Sequence, residues 1–103
     1  TAYQITQKIL ERETYPTTVF TTNNLTTIGF IKAVYDAKLV LGKDIRCISF
    51  DKVNTFEDLK YSYIERDPKV MGHLATTMLM ERIANTSMPV RKYYMPSEIR
   101  VNL

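Results

Sequence analysis

Asn23, Asn24, Asp51, Lys52, Asn54, Arg66 and Asp67 are the residues of this 103-residue chain whose types and spacing could do chemistry together. Each group follows a short run rich in apolar or β-branched residues. Asn23-Asn24 comes after Thr17–Thr22, the Asp51, Lys52 and Asn54 set after Ile45–Phe50, and Arg66 with Asp67 closes Tyr61–Arg66. If these runs are parallel strands of an open sheet, their loops leave one carboxyl edge, where such sheets bind ligands. Amides and carboxylates gathered there suit a hydroxyl-rich ligand, because they pair with both the donors and the acceptors of a sugar. Each residue also has a purely structural use. Asn24 and Asp67 stand where helix N-caps belong, and Asp51 stands where a strand turns.

Other chemistry has little to work with. His73 is the one histidine, and no partner for a general base accompanies it. Three glycines cannot build a glycine-rich phosphate loop, and no His, Cys or Asp spacing suits zinc. The single cysteine, Cys47, excludes an internal disulfide and lies in an apolar run, where a thiol behaves as a small buried hydrophobe. We therefore expect no catalytic residue, no metal and no cofactor. Asp51 at a strand end is also where a receiver domain keeps its phospho-accepting aspartate. Such a site needs further carboxylates to hold a divalent ion, and Thr22-Asn23-Asn24 is neutral. A flavodoxin-like enzyme stays open as an alternative.

The formal net charge is +3, but Lys8, Arg12, Lys32, Lys38, Lys43, Arg46 and Lys60 are scattered among acids rather than grouped on one face. A scattered excess reads as solvation, not as a nucleic-acid surface. No apolar run is long enough to cross a membrane, and no basic and apolar leader opens the chain, so no membrane partner is expected. The length fits one modest core. The first residue is Thr1 rather than Met, which we read as a piece of something longer.

The elements that would position the polar groups follow from periodicity. Ile5, Ile9 and Leu10 give Ala2–Glu13 one apolar helical face, ended by Thr14 and Tyr15-Pro16. Thr17–Thr22 reads as a strand. Leu25, Ile28, Ile31, Val34 and Tyr35 mark a second helix ending near Ala37, and Leu41–Asp44 a turn. Ile45–Phe50 is nearly continuously apolar, as a strand covered on both faces should be. Strand, helix and strand in this order make a βαβ unit with a right-handed crossover. Thr55–Lys60 is expected as a short helix capped by Thr55, and Tyr61–Arg66 as a third strand. Asp67-Pro68 opens a long helix striped by Val70, Met71, Leu74, Ala75, Met78, Leu79, Arg82 and Ile83, and Asn85-Thr86-Ser87 stops it. Arg91–Met95 and Glu98–Val101 are further short strands.

Pro16-Thr17-Thr18-Val19-Phe20-Thr21-Thr22-Asn23-Asn24-Leu25-Thr26-Thr27-Ile28-Gly29 resembles the "P-T-A-x-F-x-x-N-D-x-x-A-x-G" stretch of the lactose-repressor family. Asp44-Ile45-Arg46-Cys47-Ile48-Ser49-Phe50-Asp51 resembles that family's "D-I-S-V-V-G-F-D-D", and Ser62–Asp67 its "T-T-V-R-Q-P". Gly72, Leu79 and Arg82-Ile83 fit the next helix, and Met95-Pro96-Ser97-Glu98-Ile99 resembles "L-P-T-E-L". The matches run in order along nearly the whole chain.

The resemblance implies an α/β fold, a three-layer parallel-sheet sandwich forming the C-terminal portion of a two-lobed, periplasmic-binding-protein-like effector core. Residues 1–61 would belong to the C-terminal lobe and 62–67 would cross between lobes. Residues 68–85 would form a helix packed on the N-terminal lobe, and 86–103 would return. It also implies a cytoplasmic transcriptional repressor that works as a homodimer. Such a repressor senses a sugar or sugar-derivative effector and reads operator DNA through an N-terminal helix-turn-helix outside this chain. Asn23 and Asp51 match positions that contact ligand hydroxyls in the family. Arg66 stands where glutamine is usual, and a guanidinium there favours an acidic or phosphorylated effector. An internal pair with Asp51 or Asp67 is the other use open to it. Asn24 for aspartate, Ser49 for glycine and Lys52 for the second aspartate are further departures, and losing two carboxylates makes the cleft edge more positive. Leu25, Ile28, Phe56 and Leu59 fall near the family's dimer interface. The chief alternative is the periplasmic sugar-binding component of a membrane transporter.

Overall fold

The computed structural model describes residues 1–54 and 58–102. The elements are α1 (Ala2–Leu10), β1 (Thr18–Thr21), α2 (Asn24–Asp36), β2 (Arg46–Phe50), β3 (Ser62–Glu65), α3 (Pro68–Ala84) and β4 (Glu98–Arg100). They fall into two compact units, Thr1–Glu65 with Glu98–Leu103, and Arg66–Ser97.

The first unit is built on a four-stranded sheet in the order β1-β2-β3-β4. β1 to β3 are parallel, with Thr21 beside Ser49 and Phe50 beside Ile64, so the three strands end nearly level. β4 is antiparallel to β3, and Glu98 lies beside Glu65. The chain thus leaves the sheet at Glu65 and re-enters it at the same end, which forces β4 to run the other way. The sheet is parallel-dominated α/β, as the sequence predicts, with an antiparallel edge.

α1 begins in a capping box. Thr1 Oγ1 accepts from the Gln4 amide at 3.3 Å, and Gln4 Oε1 accepts from the Thr1 nitrogen at 3.2 Å. It ends at Leu10, three residues before the predicted Glu13, because Arg12 N bonds Ile9 O at 3.2 Å and tightens the last turn. α1 lies on α2 at Gly29, where an added Cβ would sit 2.9 Å from Tyr3 N and 3.1 Å from Ala2 Cβ. The Tyr3 hydroxyl donates to the Asp36 carboxylate, and Lys32 Nζ lies 5.4 Å from the centre of the Tyr3 ring. That bond to Asp36 pushes the Tyr3 phenol above its ordinary pKa, since the carboxylate favours the protonated form.

α2 covers one sheet face with Thr27, Phe30, Ile31, Ala33 and Val34. Phe30, Ile31, Val34, Ile45, Cys47 and Tyr61 form the core, flanked by Leu10, Tyr15, Val19, Leu39, Leu41 and Tyr63. The buried face shares Ile31 and Val34 with the predicted stripe but not its ends: Leu25 is 82% and Tyr35 79% exposed. The helix is gripped by the sheet and by α1 at Gly29, and these two contacts set its rotation rather than the apolar count alone. Leu41–Asp44 is a turn as predicted. Val40 N donates to Asp44 Oδ2 at 2.6 Å, and Gly42 takes φ +90°, a conformation glycine adopts without strain.

β2 departs from the expectation of double cover. Cys47 and Ser49 are buried beneath α2, but Arg46 and Ile48 are exposed on the opposite face, as is Phe20 of β1. The described residues of this unit supply a helical layer to one face.

The second unit is dominated by α3, whose bounds match the prediction. Asp67 Oδ1 accepts from Lys69 N at 3.0 Å and Val70 N at 3.2 Å, and Pro68 occupies the first turn. No residue of α3 is buried, and Val70, Leu79, Met80 and Ile83 are exposed. Arg82 donates to the carbonyl of Met88, and Arg91 pairs with Glu81 at 2.6 Å. Arg91–Met95 is not a strand. Pro89 and Pro96 flank the stretch, which carries the exposed Tyr93 and Tyr94 and has no sheet edge among the described residues of its own unit to pair with. The predicted helix at Thr55–Lys60 lies partly outside the described residues.

Candidate functional site at the carboxyl edge of the sheet

β1 ends at Thr21 and β2 at Phe50, so Asn23 and Asp51 both leave the same edge of the sheet. Asn23, not Asn24, is the N-cap of α2. Its backbone is extended and its Oδ1 accepts from Thr26 N at 2.9 Å. That choice leaves the two N–H donors of the amide for a ligand. Asn24 is the first helical residue and is exposed.

Buried hydroxyls hold this corner from below. Thr27 Oγ1 donates to the Asn23 carbonyl at 2.8 Å and lies 2.8 Å from Thr21 Oγ1, which is 3.6 Å from Cys47 Sγ. Thr27 spends its one proton on the carbonyl, so it accepts from Thr21, and Thr21 in turn accepts from the thiol. Burial pushes the Cys47 thiol up, so the sulfur keeps the proton it donates. Cys47 is thus the buried small residue the sequence predicts.

Asp51 takes φ +76°, in the left-handed region that a non-glycine residue enters at a cost. Three contacts fix it and its neighbours. Asp51 N donates to Ile64 O at 3.0 Å, and Ser49 Oγ donates to Asp51 O at 2.6 Å. The Tyr61 hydroxyl accepts from Val53 N and donates to Val53 O, each at 3.0 Å. Lys52, between them, places its Nζ 6.0 Å from the centre of the Tyr63 ring. Ser49 and Tyr61 were invisible as site residues in the sequence. The one available signal was that Ser49 replaces the glycine of the lactose-repressor pattern.

Arg66 opens the second unit directly after β3 and is half-buried, and Asp67 caps α3. The structure thus brings Asn23 and Asp51 to one edge within the first unit and places Arg66 in the other. Of the residues matched to a dimer interface, Leu25 is strongly exposed, Ile28 half-buried and Leu59 exposed at the margin. Phe56 lies outside the described residues. His73 is exposed on α3, and among the described residues no group of three or more His, Cys, Asp or Glu is gathered.

Residues 1–101 match the family described as the periplasmic binding protein-like domain. The chain belongs to that family. By sequence it is similar to the HTH-type transcriptional repressor PurR of Pasteurella multocida (strain Pm70), 32% identical over 87 residues. The match takes in 82% of this chain and 26% of that repressor. By fold it is similar to a LacI-type regulator from Bacillus cereus subsp. cytotoxis NVH 391-98, with a TM-score of 0.86 at 19% identity over 98% of this chain and 36% of that one. A LacI family regulator from Enterococcus faecium, solved with bound ribose, gives a TM-score of 0.82 at 21% identity over 98% of this chain and 38% of that one. The chain therefore spans about a quarter to two fifths of these relatives. Both its sequence and its fold are thus similar to those of lactose-repressor-type regulators. No helix among the described residues is long and apolar enough to cross a membrane.

Proposed function

We propose that this chain is the ligand-sensing part of a lactose-repressor-type regulator, and that Asn23 and Asp51 contact the hydroxyls of a sugar or sugar-derivative effector. The observation that carries this is the level ending of β1 and β2, which sets an amide donor and a carboxylate on one edge, each on a backbone pinned by a buried hydroxyl. The ribose bound by the Enterococcus faecium regulator supports the ligand class. Arg66 and Lys52 favour an acidic or phosphorylated derivative, because a guanidinium binds an anionic group bidentately where glutamine cannot.

Residues 1–61 then belong to the C-terminal lobe, 62–67 cross between lobes, 68–85 pack on the N-terminal lobe and 86–103 return. The unburied apolar side chains of α3 and the separation of Arg66–Ser97 as its own unit support this division. A homodimer using Leu25, Ile28, Phe56 and Leu59, and operator binding through an upstream helix-turn-helix, complete the proposed regulator and place it in the cytoplasm. Effector between the lobes shifts DNA affinity by its differential affinity for the two lobe arrangements.

Calorimetric titration of the full-length protein with ribose and ribose 5-phosphate tests the proposal. The phosphate ester is expected to bind more tightly, and Arg66→Gln to remove that preference. Equal affinity for both would sink the anionic effector, and binding undiminished in Asp51→Ala would sink the site.

A further inference from the structure

The turn Asp51–Val53 that follows β2 is hydrogen-bonded at both of its ends. Val53 is 2% and Tyr61 3% exposed, so the bonds between them are made away from water. One phenol oxygen both accepts from the Val53 amide and donates to the Val53 carbonyl. Both polar groups of Val53 therefore face the same way, as they would towards a neighbouring strand. The Tyr61 hydroxyl takes the place of that strand, supplying one donor and one acceptor at a position where the described residues form no strand. At the other end of the loop, Ser49 has no exposed surface and donates to the Asp51 carbonyl, while Ile64 O takes the Asp51 amide. Asp51 is thereby held in a left-handed conformation that it would not keep unaided.

We propose that Ser49 and Tyr61 are positioning residues that hold the Asp51–Val53 loop in its ligand-binding shape before ligand arrives. The proposal rests on the role given to Asp51 above and deepens it. A loop already ordered forfeits less conformational entropy on binding, so the two hydroxyls raise affinity without touching the ligand. They also fix which way the Asp51 carboxylate and the Lys52 stem leave the sheet edge, and hence which ligand hydroxyls or anions the edge accepts.

The test uses the full-length protein with Tyr61→Phe, which keeps the ring, and Ser49→Gly, which restores the residue of the family pattern. Amide hydrogen exchange is measured at residue level without ligand, and binding with ribose and ribose 5-phosphate. In Tyr61→Phe the Val53 amide is expected to exchange roughly tenfold faster while Cys47–Phe50 amides keep their rates, since one hydrogen bond is worth about that factor. The dissociation constant of the better probe should rise by about tenfold in Tyr61→Phe and by a few-fold in Ser49→Gly. Unchanged Val53 exchange would overturn the proposal. So would acceleration spread over all strands, which marks a general loss of core stability, or wild-type affinity in both variants. If the wild type binds neither probe, the sugar reading fails for those ligands, and the exchange measurement still decides whether the hydroxyls hold the loop.

Discussion

The Thr27 hydroxyl donates to the Asn23 carbonyl at 2.8 Å from a side chain with no exposed surface. The same oxygen is the acceptor for Thr21, so Thr27 joins the helix cap to the core beneath it. Thr27→Val keeps shape and removes both bonds, leaving the Thr21 hydroxyl without its acceptor. A buried polar group left unpaired costs about 1–3 kcal/mol. Denaturant unfolding of the full-length protein should show a loss in that range, and ribose affinity should fall with it as the Asn23 corner loosens. Thr27→Ser, which keeps the hydroxyl, should recover most of the affinity.

Gly29 sits where α1 meets α2, and its missing side chain is what permits the contact. A methyl group there would lie 2.9 Å from a backbone nitrogen, which cannot swing aside as a side-chain tip can. Gly29→Ala gains about 1 kcal/mol of helix propensity but forces the helices apart, an overpacking cost of about 1–3 kcal/mol. Net destabilisation is expected in chemical denaturation, together with loss of the Tyr3–Asp36 hydrogen bond that bridges the same two helices. An increase in stability would show that α1 can move without cost.

Cys47 gives the first unit a pH dependence with a definite sign. Burial pushes its thiol above the ordinary value, which is about 8.5 in an unfolded chain. Between the two values the unfolded state has released its proton and the folded state has not. The unfolded state then binds fewer protons, so stability falls as pH rises. The thiol's contribution is complete below about pH 8.5 and declines above it until the folded thiol itself titrates. Comparing the unfolding free energy of wild type and Cys47→Ala from pH 7 to 10 isolates this term from the tyrosines and lysines. The difference should shrink with rising pH, and native Cys47 should react slowly with a thiol reagent at pH 8.

α3 was legible end to end because its signals are local: Asp67-Pro68 fixes the start and Asn85 the stop, whatever packs on it. β1 to β4 and the Leu41–Asp44 turn were legible for the same reason, and the βαβ order placed Asn23 and Asp51 on one edge. What escaped depended on long-range contact. Which face α2 buries is set by the sheet and by Gly29, so the periodicity of Leu25, Ile28, Ile31, Val34 and Tyr35 marks the helix but not its buried side: Ile31 and Val34 are buried, Leu25 and Tyr35 exposed. Arg91–Met95 has strand-like residues but no edge to join in its unit. The cap fell on Asn23 rather than Asn24 because Thr27 and Thr21 hold the Asn23 carbonyl from a buried network that no short motif records. Tyr61 could not have been connected to Val53, since the pairing exists only once the loop has closed.

Asp51 combines a backbone demand with a proposed chemical role, and two substitutions separate them. At φ +76° an L-residue with a Cβ is disfavoured by about 1–2 kcal/mol, and aspartate tolerates the region better than alanine does. Asp51→Gly removes that penalty along with the carboxylate, so it should be more stable than Asp51→Ala while effector affinity falls. Asp51→Ala removes the carboxylate and keeps a Cβ in the left-handed region, so it should lose affinity equally and stability as well. Paired measurements of unfolding free energy and of ribose 5-phosphate affinity in the full-length protein check both. Equal affinity losses with unequal stability assign the carboxylate to the ligand and the φ to the fold. Affinity that tracks stability instead would make Asp51 a residue of the turn alone.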